Sequence, residues 1–181
     1  MAMLLYGRRR CLGTVLDPHD PVQYQWRSFE EVRGEVRAFA QGLQHLSGIR
    51  AGNVVGLLAS ACVEWLTSDV ACLIKGFIST PMHRSTSSRQ LASVAKRCGM
   101  RVLVASVHVK SVIWEVREEL AQYGLQWIVW LSDAEAAYPF STPPPQGTLK
   151  DEGGVHIREG IADISLFRSI PTMDVQIHFY F

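Results

Sequence analysis

The chain has 181 residues, of which 48% are apolar, and its 18 basic and 17 acidic side chains leave a formal net charge of +1. That apolar share excludes a disordered chain, and a domain of this length can bury roughly 70% of its unfolded surface, enough for a core without staples. The near-balance of charge leaves no chain-wide footprint for nucleic acid or for an acidic membrane surface.

The amino-terminal stretch runs Met1-Ala2-Met3-Leu4-Leu5-Tyr6 and then Arg8-Arg9-Arg10. A secretory leader places its charge ahead of a longer apolar run, so this is not the pattern of one. A mitochondrial transit peptide is conceivable from the arginines, but Asp17 and Asp20 come early and serine is scarce. The first predicted helix opens at Ser28. Ser28-Phe29-Glu30-Glu31 reads as a capping box, in which the serine hydroxyl accepts from the Glu31 amide and the Glu31 carboxylate reaches back. Phe29, Val32, Val36, Phe39, Ala40, Leu43 and Leu46 follow at helical spacing, with Arg33, Glu35, Arg37 and Gln44 elsewhere on the wheel, and Gly48 as a left-handed stop.

Val54 to Ala59 is a short continuous apolar run with a β-branched start, the pattern of a strand buried on both faces in a parallel sheet. Ser60 is expected to cap a helix running to Lys75, ended by Gly76. Phe77 to Thr80 reads as a second strand, stopped by Pro81. Ser87 or Ser88 opens a third helix, which Gly99 closes. Val102 to Ala105, a helix over about Val109 to Tyr123, and a strand over Trp127 to Leu131 complete the series. Strands alternating with helices of this length predict an α/β fold of right-handed βαβ units around a mainly parallel sheet. The stretch from Val54 to Ile78 carries Glu64, Asp69 and Lys75, so no membrane span is expected. The pattern fails after Asp133, where Pro139, Pro143, Pro144, Pro145, Gly147, Gly153 and Gly154 mark a long loop, and Val175 to Phe181 reads as an orphan strand.

Searches for chemistry mostly return structure. No Gly-x-Gly-x-x-Gly follows a strand, and there is no Walker-type glycine-lysine loop. Ser60 in the first βα turn reads as a cap more readily than as a phosphate contact. Ser93 to Lys96 matches a Ser-x-x-Lys string without its companion motifs. His19, His45, His83, His108, His156 and His178 are scattered, with no pairing that suits zinc. His83 follows Pro81 at a strand end, and Ser85 to Ser88 lies between Arg84 and Arg89, where an anion could sit at a helix start; capping accounts for the same hydroxyls. Glu118 and Glu119 diverge by about 100° on a helix and form no acid/base pair. Trp65, Trp114, Trp127 and Trp130 read as packing, with no basic groove beside them. Cys11, Cys62, Cys72 and Cys98 have no Cys-x-x-Cys spacing and are expected to be free thiols in a reducing compartment.

Four segments in order carry a resemblance. Trp26-Arg27-Ser28-Phe29-Glu30-Glu31-Val32 leads a helix to Gly42-Leu43, then Gly48 to Leu57. Glu64-Trp65-Leu66, Asp69-Val70-Ala71-Cys72, Gly76 and Thr80-Pro81-Met82 follow, and Cys98 to Val104 closes the set. Over residues 24–132 this order resembles the opening of the AMP-forming acyl-CoA synthetases, most of all the long-chain fatty-acid CoA ligase branch. Asn53 stands where that family usually has aspartate, and Ser60-Ala61 replaces an asparagine-containing turn.

The resemblance implies an incomplete N-terminal portion of the AMP-binding synthetase fold. It implies an extension over 1–23, a partial α/β subdomain over 24–133, a Pro/Gly-rich loop or linker over 134–160 and a divergent tail over 161–181. In such enzymes ATP and a carboxylic acid give an acyl-adenylate, and CoA then displaces AMP. ATP, Mg and CoA are therefore the cofactors of the complete family enzyme, and a fatty acid is its substrate. Pro-Lys-Gly, which follows the family's phosphate loop, never occurs here, and Tyr-Gly-x-Thr-Glu is absent too. No catalytic, cofactor-binding or metal residue is assigned to this chain, and none of the cofactors is expected to bind it alone. Three roles follow as expectations: a truncated synthetase portion inactive alone, an interaction module that pairs with a full-length synthetase or with itself through an exposed sheet edge, or a self-standing doubly wound enzyme. The expected setting is intracellular, in the cytoplasm or peripheral to an organelle membrane, with no nucleic-acid partner.

Overall fold

The computed structural model describes residues 5–17, 20–45, 49–131 and 158–162. A two-stranded antiparallel hairpin, β1 (Arg10–Asp17) and β2 (Asp20–Ser28), precedes helix α1 (Phe29–His45). Then come β3 (Val54–Leu58), α2 (Val63–Lys75), β4 (Ile78–Met82), α3 (Ser88–Cys98) and β5 (Met100–Ser106). A 3-10 turn (Val107–Val109), α4 (Lys110–Glu115), α5 (Arg117–Gln122), β6 (Trp127–Leu131) and β7 (Arg158–Ala162) complete the described elements. The last five strands form one sheet in the order β4-β3-β5-β6-β7, parallel at every pairing.

The sheet is covered on both faces, which is why its strands read as unbroken apolar runs. Alternate residues Val55, Leu57, Val102, Val104, Val129 and Leu131 join a core with α1 and α2, while Leu58, Met100, Leu103, Ala105, Ile128 and Trp130 join a second core with α3, α4 and α5. α1 turns Val32, Val36, Phe39, Ala40 and Leu43 inward, and each fully buried side chain of that size contributes roughly 1.5–3 kcal/mol. The predicted capping box is present: Glu31 N donates to Ser28 Oγ at 3.2 Å and Ser28 N donates to Glu31 Oε2 at 2.7 Å. Gly56 lies in the middle of β3 because nothing larger fits there; a Cβ would stand 2.6 Å from Met100 Sδ.

Several sequence expectations need correction. The hairpin before Ser28 was not anticipated; its alternation is broken by a bulge between Arg10 and Leu12 and by Gly13, whose missing side chain leaves room for the Trp26 ring. Pro81 does not stop its strand. β4 is an edge strand, where proline's missing N–H breaks no ladder. The helix expected over Val109 to Tyr123 is divided at Val116, whose φ/ψ of −120°/15° is not helical. β7 was missed because Arg-Glu-Gly-Ile-Ala holds a single β-branched residue. The orphan strand expected over Val175 to Phe181 lies outside the described residues. No helix among the described residues is long and apolar enough to cross a membrane.

Candidate functional site

In a sheet of this kind ligands sit at the carboxyl ends of the strands. Here that rim is made by residues 59–62 after β3, 83–87 after β4 and 107–109 after β5. Its turns face one another closely enough that Arg84 Nη1 donates to Ser60 Oγ at 3.5 Å across 24 residues. Ser60 is therefore a rim residue and not the cap of α2. That role falls to Cys62, whose Sγ accepts from Trp65 N at 3.3 Å.

The hydroxyl-rich segment after β4 is engaged in its own turn. His83 Nδ1 accepts from Ser85 N at 3.2 Å, and Ser85 Oγ lies 2.7 Å from the same nitrogen. Thr86 Oγ1 donates to His83 O at 2.6 Å. Ser87 and Gln90 form a full capping box at the start of α3. Capping, the plainer of the two sequence readings, is what the geometry carries.

A triphosphate needs backbone donors presented by glycine-rich turns and cations aimed at the same point. The described residues do not fit one. Among the described residues the positive-φ glycines are Gly52, Gly76, Gly99 and Gly124. Each comes after a helix or turn and just ahead of β3, β4, β5 or β6, at the amino ends of the strands. They serve chain reversal on the wrong side of the sheet for a phosphate cradle. The two helix stops bond back onto their helices: Gly76 N donates to the carbonyl groups of Cys72 and Leu73, and Gly99 N donates to Ala95 O.

The remaining candidates separate in space or in chemistry. Ser93 and Lys96 both lie on the exposed side of α3, and Lys96 Nζ stands 5.4 Å over the Tyr123 ring, a cation–π contact and not a base poised on serine. Glu118 and Glu119 are exposed, and Glu119 accepts from Tyr123 Oη at 3.5 Å. Trp127 and Trp130 are core residues, and Trp114 packs on Trp130 with ring centroids 5.9 Å apart. Among the described residues no group of three or more His, Cys, Asp or Glu is placed to hold a metal ion.

All four cysteines are free. Burial pushes the Cys62 thiol up to about 11, helped by the negative charge of Glu64 and opposed by the Trp65 amide. Burial likewise pushes Cys72 up to about 12 and raises Cys11 and Cys98. A cysteine nucleophile acts as thiolate, so these shifts run against catalysis at neutral pH.

One charged cluster was not read from sequence. Arg27 on β2 donates to Glu35 Oε2 of α1 at 3.4 Å and to Glu64 Oε1 of α2 at 3.5 Å, with both glutamates buried. Glu35 falls off the apolar stripe on the helical wheel, yet it is buried. It is inside because Arg27 arrives from a different element to neutralise it. The cluster ties the hairpin to both helices on one face of the sheet, with Glu64 in the first turn of α2 beside the carboxyl rim.

The fold has known counterparts. A family profile described as AMP-binding enzyme matches residues 8–153. Long chain acyl-CoA synthetase 7, peroxisomal, from Arabidopsis thaliana is 23% identical over 133 residues, covering 73% of this chain and 19% of that protein. Long-chain-fatty-acid–CoA ligase 6 from Mus musculus is 25% identical over 133 residues, again covering 72% of this chain and 19% of the relative. Among solved structures, the anthranilate CoA ligase AuaEII, in complex with anthranoyl-AMP, superposes with a TM-score of 0.62 at 23% identity, covering 71% of this chain and 23% of that one. The acyl-CoA synthetase of Brucella canis gives a TM-score of 0.62 at 15% identity over 95% of this chain and 26% of its own. The chain spans about a fifth of the length of the curated relatives it matches. With a profile match over most of its length and a doubly wound parallel sheet to the same plan, the chain belongs to the AMP-binding enzyme family.

Proposed function

We propose that these 181 residues form the N-terminal α/β layer of an ATP-dependent acid:CoA ligase that activates a fatty acid, and that they do not perform the reaction by themselves. In the family reaction the carboxylate attacks the α-phosphorus of ATP and releases pyrophosphate, and the CoA thiol then displaces AMP from the acyl-adenylate. The adenylation step demands that the triphosphate be held and its developing charge neutralised by positioned donors and a metal ion. The observation that carries the reading is the family match over residues 8–153 on a sheet whose described rim segments after β3, β4 and β5 hold no glycine turn and whose Ser85–Ser87 hydroxyls are spent locally. The proposed division is an extension over 1–23, a partial subdomain over 24–133, a loop or linker over 134–160 and a tail over 161–181. Four free cysteines, of which Cys72 is buried, support a reducing intracellular setting. Equilibrium dialysis of the purified chain against labelled ATP with magnesium tests the reading. No saturable retention is the expected result, and saturable binding of one nucleotide per chain would overturn it.

A second reading, an interaction module that self-associates, is favoured by one observation. β4 is an edge strand, and beside it Leu73, Ile74 and Ile78 are 66%, 52% and 53% exposed. An open edge next to apolar surface is a template for pairing. Light scattering across a concentration series checks this, and a monodisperse monomer at high concentration with no binding of an apolar dye counts against it.

A further inference from the structure

The ligase reading leaves the outer face of the β1–β2 hairpin without a task. Gly13 pairs with Trp26 and Val15 with Tyr24, so strand alternation puts these four on one face and Leu12, Gln25 and Arg27 on the other. The second face turns to the body, with Leu12 packed on the core and Arg27 on the buried glutamates. The first is open. Tyr24 and Trp26 are each 44% exposed with ring centroids 5.6 Å apart. Arg10 lies 5.3 Å over the Trp26 ring and Arg9 lies 5.1 Å over the ring of Tyr6. Tyr6 is 44% exposed and Leu5 beside it 66%.

Charge and apolar surface thus coincide at one end of the hairpin. Arg8, Arg9 and Arg10 are consecutive and all exposed. Of the acids close by, Glu31 is bonded by the amide and hydroxyl of Ser28 and keeps its charge, and Glu30 lies beside Gly7, so the two offset part of the three charges and leave a small positive excess. The three arginines are exposed and adjacent, whereas most of the chain's charge is spread and balanced. Arginine forks match phosphate oxygens, and tyrosine and tryptophan settle at the level of lipid headgroups. A nucleic acid would need a basic groove that tracks a backbone. The charge here is one tripeptide with aliphatic Leu5 at its side, which hydrocarbon accommodates and a nucleic acid does not.

We propose that the outer face of the β1–β2 hairpin docks on an anionic phospholipid surface, with Arg8, Arg9 and Arg10 on headgroup phosphates and Tyr6, Tyr24 and Trp26 at headgroup depth. A basic cluster or an aromatic patch alone is a weak anchor, and the two together make a reversible one. The proposal stands on the hairpin and is independent of the ligase reading.

Sedimentation of the full 181-residue chain with vesicles tests it. The chain pellets with vesicles of roughly two parts phosphatidylcholine to one part phosphatidylserine and not with pure phosphatidylcholine, and added salt releases it. Replacing Arg8, Arg9 and Arg10 by serine lowers the partition coefficient about fivefold per residue, on the order of a hundredfold in all. The same three positions as lysine keep most of the binding, which separates charge from fold. Y24S with W26T also weakens binding, with circular dichroism as the folding control. Equal pelleting with both vesicles, or unchanged binding by the triple serine variant, overturns the proposal. So does binding to single-stranded RNA with none to vesicles, or self-association alone.

Discussion

Arg27→Met should be among the most damaging single changes outside the two cores. It removes the guanidinium that Glu35 and Glu64 share, and both are more than nine-tenths buried. At 3.4 and 3.5 Å each ion pair is worth about 5 kcal/mol gross at an effective dielectric of about 20, most of which offsets desolvation of the charges. Removing one partner of a buried pair costs about 3–5 kcal/mol. The Arg27 side chain is 23% exposed, so the lower end of that range applies. A loss of about 3 kcal/mol is a large part of the roughly 5–15 kcal/mol that holds a domain together. Urea unfolding of the purified chain should show the midpoint falling by roughly 1.5 M for a slope of about 2 kcal/mol per molar. In a Glu35→Gln, Glu64→Gln background the same substitution should cost less than about 1 kcal/mol, because no buried charge is left orphaned. A loss within about 0.5 kcal/mol of wild type, or an equal loss in the amide background, would refute the view that charge neutralisation is what Arg27 supplies.

Three further outcomes follow from the packing and the thiols. Gly56→Ala pushes a methyl group into Met100 and should destabilise by about 1–3 kcal/mol, with Met100→Val restoring part of it in the same urea assay. Ser87→Ala removes the capping box of α3 and should cost about 1 kcal/mol, read as a lower melting temperature. Cys62 and Cys72 are raised from 9.0 to about 11 and about 12 in the folded chain, so the fold favours their neutral form. Their stabilisation is complete below about pH 9 and is lost as pH rises toward 11–12, at up to about 1.4 kcal/mol per pH unit for each thiol. Cys72→Ala should flatten that alkaline decline in a pH series of melting curves, and an unchanged slope would contradict it.

The βαβ body was legible because its signals are local. Gly76 and Gly99 end helices in the left-handed region where the sequence reading stopped them, Ser28 and Ser87 cap where hydroxyls precede apolar periodicity, and Val54 to Leu58 is buried on both faces as its unbroken apolar run requires. What was not legible depends on distant partners. Glu35 falls off the apolar stripe in sequence, and its burial shows only when Arg27 is brought to it from β2. Pro81 reads as a strand breaker unless β4 is known to lie at an edge. The hairpin is obscured by Gly13, whose role appears only when Trp26 is seen lying across it. The Arg84 to Ser60 contact, 24 residues apart, had no sequence signal.

The chain carries part of the AMP-binding enzyme fold, and the proposal that it does not adenylate an acid by itself is open to direct test. The most direct test is ATP–pyrophosphate exchange by the pure 181-residue chain with magnesium and fatty acids of graded length. No acid-dependent exchange is expected with any of them, and exchange that tracks the acid, the protein concentration and a single chromatographic peak would overturn the proposal.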